Sequence, residues 1–298
     1  MLNTNSCYFI GELVEVKRLT QGTFEREGQE IPYVSASIIL KCVIRGEENL
    51  IQLENFTSAL KKDGTPNKNY NSIVNINDML NKRVVVSGAS LSGERFWSTK
   101  NNQLVPVTKI NFNIINLASR NQTEDKAEFK FGGFVYRELA EKNNEAGELQ
   151  YYTITLAQAN YKEDNMFEVQ FTVAKDNFTA AQHIREYYEQ GATVEIKGEI
   201  SNLVSVQTIT EEVDFGEPTI RTVTRSEKHF YITGGNKPIV GEGEYSAEAI
   251  AALVKAYAIS GAKIKEDALK STSKTEAAGT PAEAKGAPSK KAALAGLI

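Results

Sequence analysis

The 298-residue chain is poor in the residues from which metal sites and disulfide frameworks are built. Its two cysteines, Cys7 and Cys42, and its two histidines do not fall at the spacing of a metal-ligand set. We expect both cysteines to be thiols in the core of strands. His183 and His229 have no serine, cysteine or metal partner at motif spacing, so the sequence predicts neither an enzyme nor a cofactor.

The chain also lacks long hydrophobic runs. No segment approaches the roughly 20 apolar residues of a membrane span. The start, MLNTNSCYFIGEL, has neither the basic region nor the long apolar stretch of a signal peptide. The sequence therefore predicts a cytoplasmic protein without a membrane segment. An Asn-Phe-Thr occurs at 55–57 and again at 177–179, but glycosylation of such an acceptor requires a secretory route, so we expect no glycan at either place.

These two Asn-Phe-Thr segments belong to a longer internal repeat. They are 122 residues apart, and Phe9-x-Gly11 recurs at the same distance as Phe131-x-Gly133. Later matches follow at distances of 110 and 118, which places the insertions in KKDGTPNKNYNS and around EEVDFGEP. Insertions rich in Gly, Pro, Asn and charge are typical of surface loops. The pattern predicts a tandem duplication, with one domain at 5–118 and the other at 128–236.

Each copy predicts three strands, a short helix and two further strands. Strand segments such as VSASIILKCVI and MFEVQFTVA are rich in β-branched and aromatic residues, and the second alternates apolar and polar positions. The Asn-Phe-Thr then marks the junction between the third strand and the helix. Five strands with a helix between the third and fourth form the layout of the OB-fold, so we expect a mostly β protein with two tandem OB-fold-like barrels. An unrelated duplicated β-sandwich is the alternative.

Three segments resemble the single-stranded DNA-binding proteins of bacteria and their phages. They are MFEVQFTVAKDNFTAAQHIREYYEQGATVEIKGEIS in the second copy, and IQLENFTSAL with LNKRVVVSGASLSGERFW in the first. The resemblance implies non-sequence-specific binding of single-stranded DNA. It places Phe56 and Phe178 at the base-stacking phenylalanine of that family, and Phe96 or Trp97 near its hairpin tryptophan. The second copy departs at that hairpin, where SNLVSVQT has no aromatic residue.

The charge of the chain is unevenly distributed. The formal net charge is −4, but residues 1–120 sum to +3, residues 121–238 to −8 and residues 239–298 to +1. A single strand of nucleic acid needs cations for its backbone and flat rings for its bases. We therefore expect the first copy to be the main nucleic-acid platform, while the acidic second copy binds nucleic acid or protein.

Candidate binding residues concentrate in two segments of the first copy. The predicted hairpin tip SGERFWSTKNNQ and its return strand contribute Arg95, Phe96, Trp97, Lys100 and Lys109. The insertion KKDGTPNKNY contributes Lys61, Lys62, Lys68 and Tyr70 on what we expect to be a flexible loop. Cations and aromatic rings alternate in both segments, as single-strand binding requires.

The C-terminal part has a different character. Residues 244–270 predict an amphipathic helix that Ser246 caps and Gly261 ends, with a face that packs on a domain or another chain. Residues 271–298 are rich in Ala, Lys, Thr and Pro and predict a disordered tail. The final KKAALAGLI is either a docking segment for a partner or the end of a linker.

The sequence thus favours a phage or bacterial protein that coats single-stranded DNA in replication or recombination. Single-stranded DNA is the expected partner, with a homo-oligomer and replication or recombination proteins at the tail as further possibilities. One alternative is a non-enzymatic structural or interaction protein that uses its barrels to bind other proteins. Another is a binder of RNA or double-stranded DNA.

Overall fold

The computed structural model describes residues 2–211 and 219–277. Within these ranges, strands alternate with a few helices. In chain order the elements are β1 (Asn5–Arg26), β2 (Gln29–Ile44), β3 (Glu47–Ser58), α1 (Tyr70–Val74), a 3-10 turn (Ile76–Met79), β4 (Arg83–Ser98), β5 (Gln103–Asn111), β6 (Ile114–Leu117), β7 (Lys126–Asn143), β8 (Leu149–Ala159), β9 (Met166–Ala174), α2 (Phe178–Tyr187), β10 (Thr193–Glu211), β11 (Thr219–Gly235) and α3 (Ala247–Ala277). The predicted mostly β fold with a C-terminal helix is confirmed.

The first five strands close into a ring, which we call the first barrel (residues 5–117 with β6). β1 pairs antiparallel with β2 and with β4, β2 pairs with β3, and β4 pairs with β5. The ring closes where β5 runs parallel to β3, with Asn111 opposite Glu54. α1 lies between the third and fourth strands, as in an OB-fold. β6, which pairs with β4, is an addition to the predicted five strands.

The second barrel (residues 126–235) has the same order of pairings. β7 pairs with β8 and β10, β8 with β9, and β10 with β11. β11 runs parallel to β9 at Tyr231 and Thr172, and α2 stands between the third and fourth strands. The antiparallel pairing of β1 with β7 joins both barrels into one continuous sheet. The division into two duplicated domains therefore remains a prediction.

Alternation along the strands determines which side chains form the core. In β3, Ile51 and Leu53 point inward and are buried, whereas Gln52 and Phe56 point outward. Both predicted core cysteines are buried, and burial raises the pKa of each thiol to about 12. They are free thiols inside the core, as expected from the sequence.

Buried polar groups fix the two barrels against each other. The side-chain oxygen of Asn49 in the first barrel accepts hydrogen bonds from Ser201 Oγ and from the backbone N–H of Asn202, both at 2.8 Å. At the other side of the seam, Asn5 Nδ2 donates to Gln158 Oε1 at 3.0 Å. These directional hydrogen bonds fix the orientation of one barrel against the other.

The Asn-Phe-Thr segments occupy different structural positions, so one sequence expectation was wrong. Asn177 caps α2 by accepting a hydrogen bond from Ala180 N at 3.2 Å, as predicted for the second copy. Asn55 instead lies within β3, buried, and its side-chain amide donates to Phe112 O at 2.6 Å. Since β3 continues to Ser58 and α1 begins only at Tyr70, the first segment is not a junction between strand and helix.

The C-terminal helix is longer than predicted. Ser246 caps α3 by accepting a hydrogen bond from Ala249 N at 3.2 Å, but the helix continues through Gly261 to Ala277. A Cβ on Gly261 would stand 2.8 Å from Leu104 Cδ1, so this glycine allows a close approach to β5 rather than ending the helix. The predicted tail overlaps α3 up to Ala277, and residues 278–298 lie outside the described ranges.

In the described ranges no helix combines the length and the apolar character of a membrane span.

Candidate nucleic-acid interface

Three aromatic rings from three neighbouring strands meet on the outer surface of the first barrel. Phe24 lies on β1, Tyr33 on β2 and Phe56 on β3. The rings of Tyr33 and Phe56 are stacked, with centroids 5.1 Å apart and planes at 27°. Phe24 stands 6.2 Å from Tyr33 and 6.4 Å from Phe56. Phe56 is 62% exposed, whereas Phe24 and Tyr33 are half-buried, so the group opens to solvent mainly through the Phe56 ring.

The strand register explains why these rings meet. Tyr33 lies opposite Gly22 on β1 and opposite Ser58 on β3, and Phe56 lies opposite Ser35. A Cβ on Gly22 would stand 2.9 Å from the Tyr33 ring, so the missing side chain leaves the room in which the ring rests. Small residues opposite Tyr33 and Phe56 therefore let these two rings lean together across the strands.

Cations border the three rings. The guanidinium of Arg26 lies 5.4 Å from the centre of the Phe24 ring, within the range of a cation–π interaction. Arg26 Nη1 donates to the backbone oxygen of Lys61 at 2.8 Å, which attaches the lysine loop to the rings. Lys61 and Lys62 are exposed. We call Phe24, Tyr33 and Phe56, together with Arg26, Lys61 and Lys62, the ring face.

Neighbouring residues compensate the negative charge of Glu54, the acidic side chain of β3 nearest to Phe56. Glu54 lies two residues before Phe56 on the outer side of the strand. Arg18 Nη2 stands 3.3 Å from Glu54 Oε2, while Ser37 Oγ and Gln52 Nε2 donate to Glu54 Oε1 at 2.9 and 2.7 Å. An opposite charge and two donors reduce the repulsion that this carboxylate exerts on a phosphate.

Arg95 and Trp97 face the C-terminal helix rather than an open groove. The guanidinium carbon of Arg95 lies 3.4 Å from the centre of the Tyr257 ring. Its Nη2 donates to Tyr257 O at 2.8 Å and to Ser260 Oγ at 2.5 Å. Lys265 of α3 lies 4.8 Å from the centre of the Trp97 ring. The β4–β5 hairpin therefore holds α3 with the side chains that the sequence suggested for nucleic acid.

The other predicted hairpin residues lie apart from Arg95 and Trp97. Phe96 points to the opposite side of β4 and is 50% exposed. Lys109 Nζ pairs with Glu94 at 2.6 Å, and Lys100 lies exposed in the turn between β4 and β5. The structure therefore does not bring these hairpin residues together on one surface.

Tyr70 is not on a flexible loop. It is the first residue of α1 and packs, half-buried, against the core of the first barrel. The loop before it does expose its lysines, and Lys62 Nζ lies 4.9 Å from the centre of the Tyr161 ring in the second barrel. Helix formation at residues 70–74 thus removes Tyr70 from the predicted set and leaves Lys61 and Lys62 available.

Phe178 does not occupy the position of Phe56 in the second barrel. It is the first residue of α2 and is 70% exposed. The parallel closures make Thr172 the counterpart of Glu54, and two residues further along the strand Phe56 corresponds to Ala174. The sequence repeat aligned the two phenylalanines because both follow an asparagine, but one belongs to a strand and the other to a helix.

The outer face of the second barrel carries rings that are packed together. The His229 ring lies 5.0 Å from Tyr151 and 5.2 Å from Tyr231, and its Nδ1 lies 3.1 Å from Thr172 Oγ1. Arg45 covers the Tyr231 ring at 4.9 Å. Burial lowers the pKa of His229, although the nearby Glu227 opposes this shift. This face is a closed polar cluster and offers fewer open rings than the ring face.

Sequence reasoning named Phe56 but not Phe24, Tyr33 and Arg26, which the structure places beside it. The missed signal was the turn Glu27–Gly28, in which both residues have a positive φ, at 53° and 79°. Such a turn joins two long antiparallel strands and predicts that Arg26 pairs with Gln29. Extending β1 to this turn would have placed Phe24 beside Tyr33.

No set of three or more His, Cys, Asp or Glu side chains that could hold a metal ion occurs within the described residues. Rings and cations, rather than ligand oxygens or a nucleophile, are what the ring face offers a binding partner.

Comparisons with known proteins identify one matching family and several solved structures of low sequence identity. The family model described as YorF matches residues 3–274. No curated protein matches the sequence. Among solved structures, the chain is similar to the wild-type single-stranded DNA binding protein from Thermus aquaticus, with a TM-score of 0.47 and 10% identity over 83% of this chain and 99% of that chain.

Two further structures are similar at the same distant level. A deletion variant of the Thermus aquaticus protein has a TM-score of 0.47 and 10% identity, covering 80% of this chain and 97% of that chain. A replication protein A heterotrimer bound to single-stranded DNA has a TM-score of 0.21 and 12% identity, covering 87% and 53%. Similarities this distant carry no argument about function. The family match extends over most of the chain, and the protein therefore belongs to the YorF family.

Proposed function

We propose that the chain binds single-stranded DNA without sequence specificity on the ring face of the first barrel. The observation that carries the proposal is the group of three rings from three strands, which Phe56 opens to solvent and Arg26 borders. Folding gains little from Phe56, which is 62% exposed. An exposed apolar group of this kind is typical of a binding surface.

The chemistry of the ring face fits a single strand better than a duplex. Bases stack on aromatic rings irrespective of sequence, each stacked base contributing about 1–3 kcal/mol. In a duplex the bases are already stacked on each other, so their faces are not available to Phe24, Tyr33 or Phe56. Arg26, Lys61 and Lys62 supply cations for the backbone beside the rings.

The charge balance supports the same surface. Residues 1–120 carry a net charge of +3 against −8 for residues 121–238. Phosphates are attracted to the first barrel and repelled by the second, except where cations of the second barrel are locally concentrated.

The biological setting of the proposal rests on the sequence resemblance. We infer that the protein coats single-stranded DNA in replication or recombination, in the cytoplasm of a bacterium or of a host infected by a phage. Self-association and a partner at the C-terminal tail belong to the same proposal. The YorF match names a family without stating a process.

The test is binding of fluorescein-labelled oligo-dT of about 20 nucleotides, measured by fluorescence anisotropy at low salt. We expect saturable binding that weakens as salt is added. Unlabelled duplex of the same length should compete poorly, and an RNA strand serves to measure the preference for DNA. Absence of binding at low salt would leave the ring face as a protein-docking surface and contradict the proposal.

A further inference from the structure

Tyr161 stands out as an aromatic residue that the second barrel presents to solvent. It lies in the turn between β8 and β9 and is 90% exposed. The residues on either side of the turn, Ala159 and Met166, are buried. The turn therefore anchors itself in the fold through its ends while its tyrosine contributes almost nothing to the core.

The backbone that carries Tyr161 is held by several hydrogen bonds. Asn160 Oδ1 accepts from the backbone N–H of Asp164 at 3.1 Å, and Asn160 Nδ2 donates to Asp164 Oδ1 at 2.7 Å. Asn165 Nδ2 donates to Ser260 Oγ of α3 at 3.2 Å. Because these hydrogen bonds restrain the turn, its tyrosine loses little conformational freedom when a ligand stacks on the ring.

The contacts around Tyr161 lead back to the ring face. Lys62 Nζ lies 4.9 Å from the centre of the Tyr161 ring. Its chain neighbour Lys61 accepts the 2.8 Å hydrogen bond of Arg26, whose guanidinium lies over Phe24. Lys61 and Lys62 are neighbours in the chain, so their Cα atoms are about 3.8 Å apart. The boundary between the barrels is therefore crossed by a continuous series of groups, in the order Phe24, Arg26, Lys61, Lys62 and Tyr161.

We infer that Tyr161 is a base-stacking residue that the second barrel adds to the ring face. A strand bound on Phe56, Tyr33 and Phe24 would continue along Lys61 and Lys62 to Tyr161. Lys62 provides a cation next to the ring and leaves the rest of this exposed side chain open for a base. The inference rests on the proposed function and extends the binding site from one barrel to both.

The inference predicts a dependence on strand length. One OB-fold contacts about 4–16 nucleotides, so a short strand fills the ring face before it reaches Tyr161. The experiment titrates oligo-dT of about 4 to about 30 nucleotides against the full chain and against Tyr161→Ala, using fluorescence anisotropy. We expect Tyr161→Ala to bind the longest strands about 10-fold more weakly and the shortest strands unchanged, as for loss of one stacked base.

Two variants serve as controls. Tyr161→Phe keeps the ring and should retain the wild-type length dependence. Phe178→Ala removes another exposed ring of the second barrel, 70% exposed, and should leave the length dependence unchanged. Since Tyr161 is almost fully exposed, Tyr161→Ala should unfold at the wild-type temperature, which separates lost binding from lost folding.

Failure of this inference differs from failure of the proposed function. If Tyr161→Ala matches the wild type at every length while Phe56→Ala weakens binding, Tyr161 does not stack a base and the ring face stands alone. If Tyr161→Phe is as weak as Tyr161→Ala, the ring is not the binding group. If no oligo-dT binds, or Phe56→Ala has no effect, the proposed function itself fails.

Discussion

The two barrels share their order of strand pairings but differ in the surfaces they expose. In the first barrel, Phe24 and Tyr33 are half-buried and Phe56, which packs against both, is exposed on the outer face. In the second barrel, Tyr151 and Tyr231 enclose His229. Side chains of a strand point alternately inward and outward. The inward side chains build the core of both barrels, whereas the outward side chains differ between them. Under the proposed function, the ring face of the first barrel carries most of the binding and the second barrel contributes Tyr161.

The largest effect should follow from removing two rings of the first barrel. We expect Tyr33→Ala combined with Phe56→Ala to weaken oligo-dT binding by about 2 kcal/mol or more, since each stacked base contributes about 1–3 kcal/mol. Fluorescence anisotropy with oligo-dT measures this loss. Phe178→Ala is the matched control in the second barrel, and an equal loss there would contradict the difference between the barrels.

The next effect concerns the hairpin that holds α3. We expect Arg95→Ala to lower the free energy of unfolding by about 2 kcal/mol. The substitution removes the guanidinium that donates hydrogen bonds to Tyr257 O and Ser260 Oγ and that lies over the Tyr257 ring. Urea unfolding measures the change. Binding of a short oligo-dT by the folded variant should remain near the wild-type value.

Arg26→Ala is the comparison variant on the ring face. It should weaken binding while lowering the free energy of unfolding less than Arg95→Ala does, because the hydrogen bond from Arg26 to Lys61 O is exposed to solvent. If Arg95→Ala instead weakened binding of short strands without affecting stability, the hairpin would be the binding surface that the sequence suggested.

A smaller effect distinguishes the packed face of the second barrel. Burial lowers the pKa of His229, so the unfolded chain takes up a proton at a higher pH than the folded chain. The stability that the neutral ring provides is therefore present above the ordinary histidine pKa and decreases as the pH falls below it. Urea unfolding from about pH 7.5 to about pH 5.5 measures this loss.

His229→Gln should show a weaker dependence on pH over the same range. It removes the titrating ring and keeps a polar side chain next to Thr172 Oγ1. The same dependence in the variant and the wild type would show that His229 is not the group responsible.

The smallest effect is the salt dependence of single cations. If Lys62 contacts one phosphate, Lys62→Ala should reduce the slope of log affinity against log salt by about 0.7. Lys100→Ala serves as the control, because Lys100 lies in the β4–β5 turn and outside the ring face. If Lys100→Ala alone reduced the slope, the phosphate backbone of the bound strand would run along the β4–β5 hairpin instead of the ring face.

The sequence predicted those features that depend on local pattern. Period-two alternation indicated the strands, the Asn-Phe-Thr at 177–179 indicated the start of α2, and Ser246 indicated the start of α3. Phe56 was identified through the resemblance, and the structure shows it exposed.

The remaining features depend on tertiary contacts that no local pattern contains. Arg95 alternates with aromatic residues like a binding residue, yet it faces α3, about 160 residues further along the chain. A glycine is typical of a helix end, yet Gly261 lies within α3, where the absence of a side chain lets the helix approach Leu104 closely. Phe24 and Tyr33 meet because the long β1–β2 hairpin brings them into register.

Photo-crosslinking of oligo-dT to the full chain, with the attached peptides located by mass spectrometry, tests the central claim most directly. We predict crosslinks at Phe24, Tyr33 and Phe56, the residues whose rings would stack on bases. Crosslinks confined to the Arg95–Trp97 hairpin or to α2 of the second barrel would contradict the account.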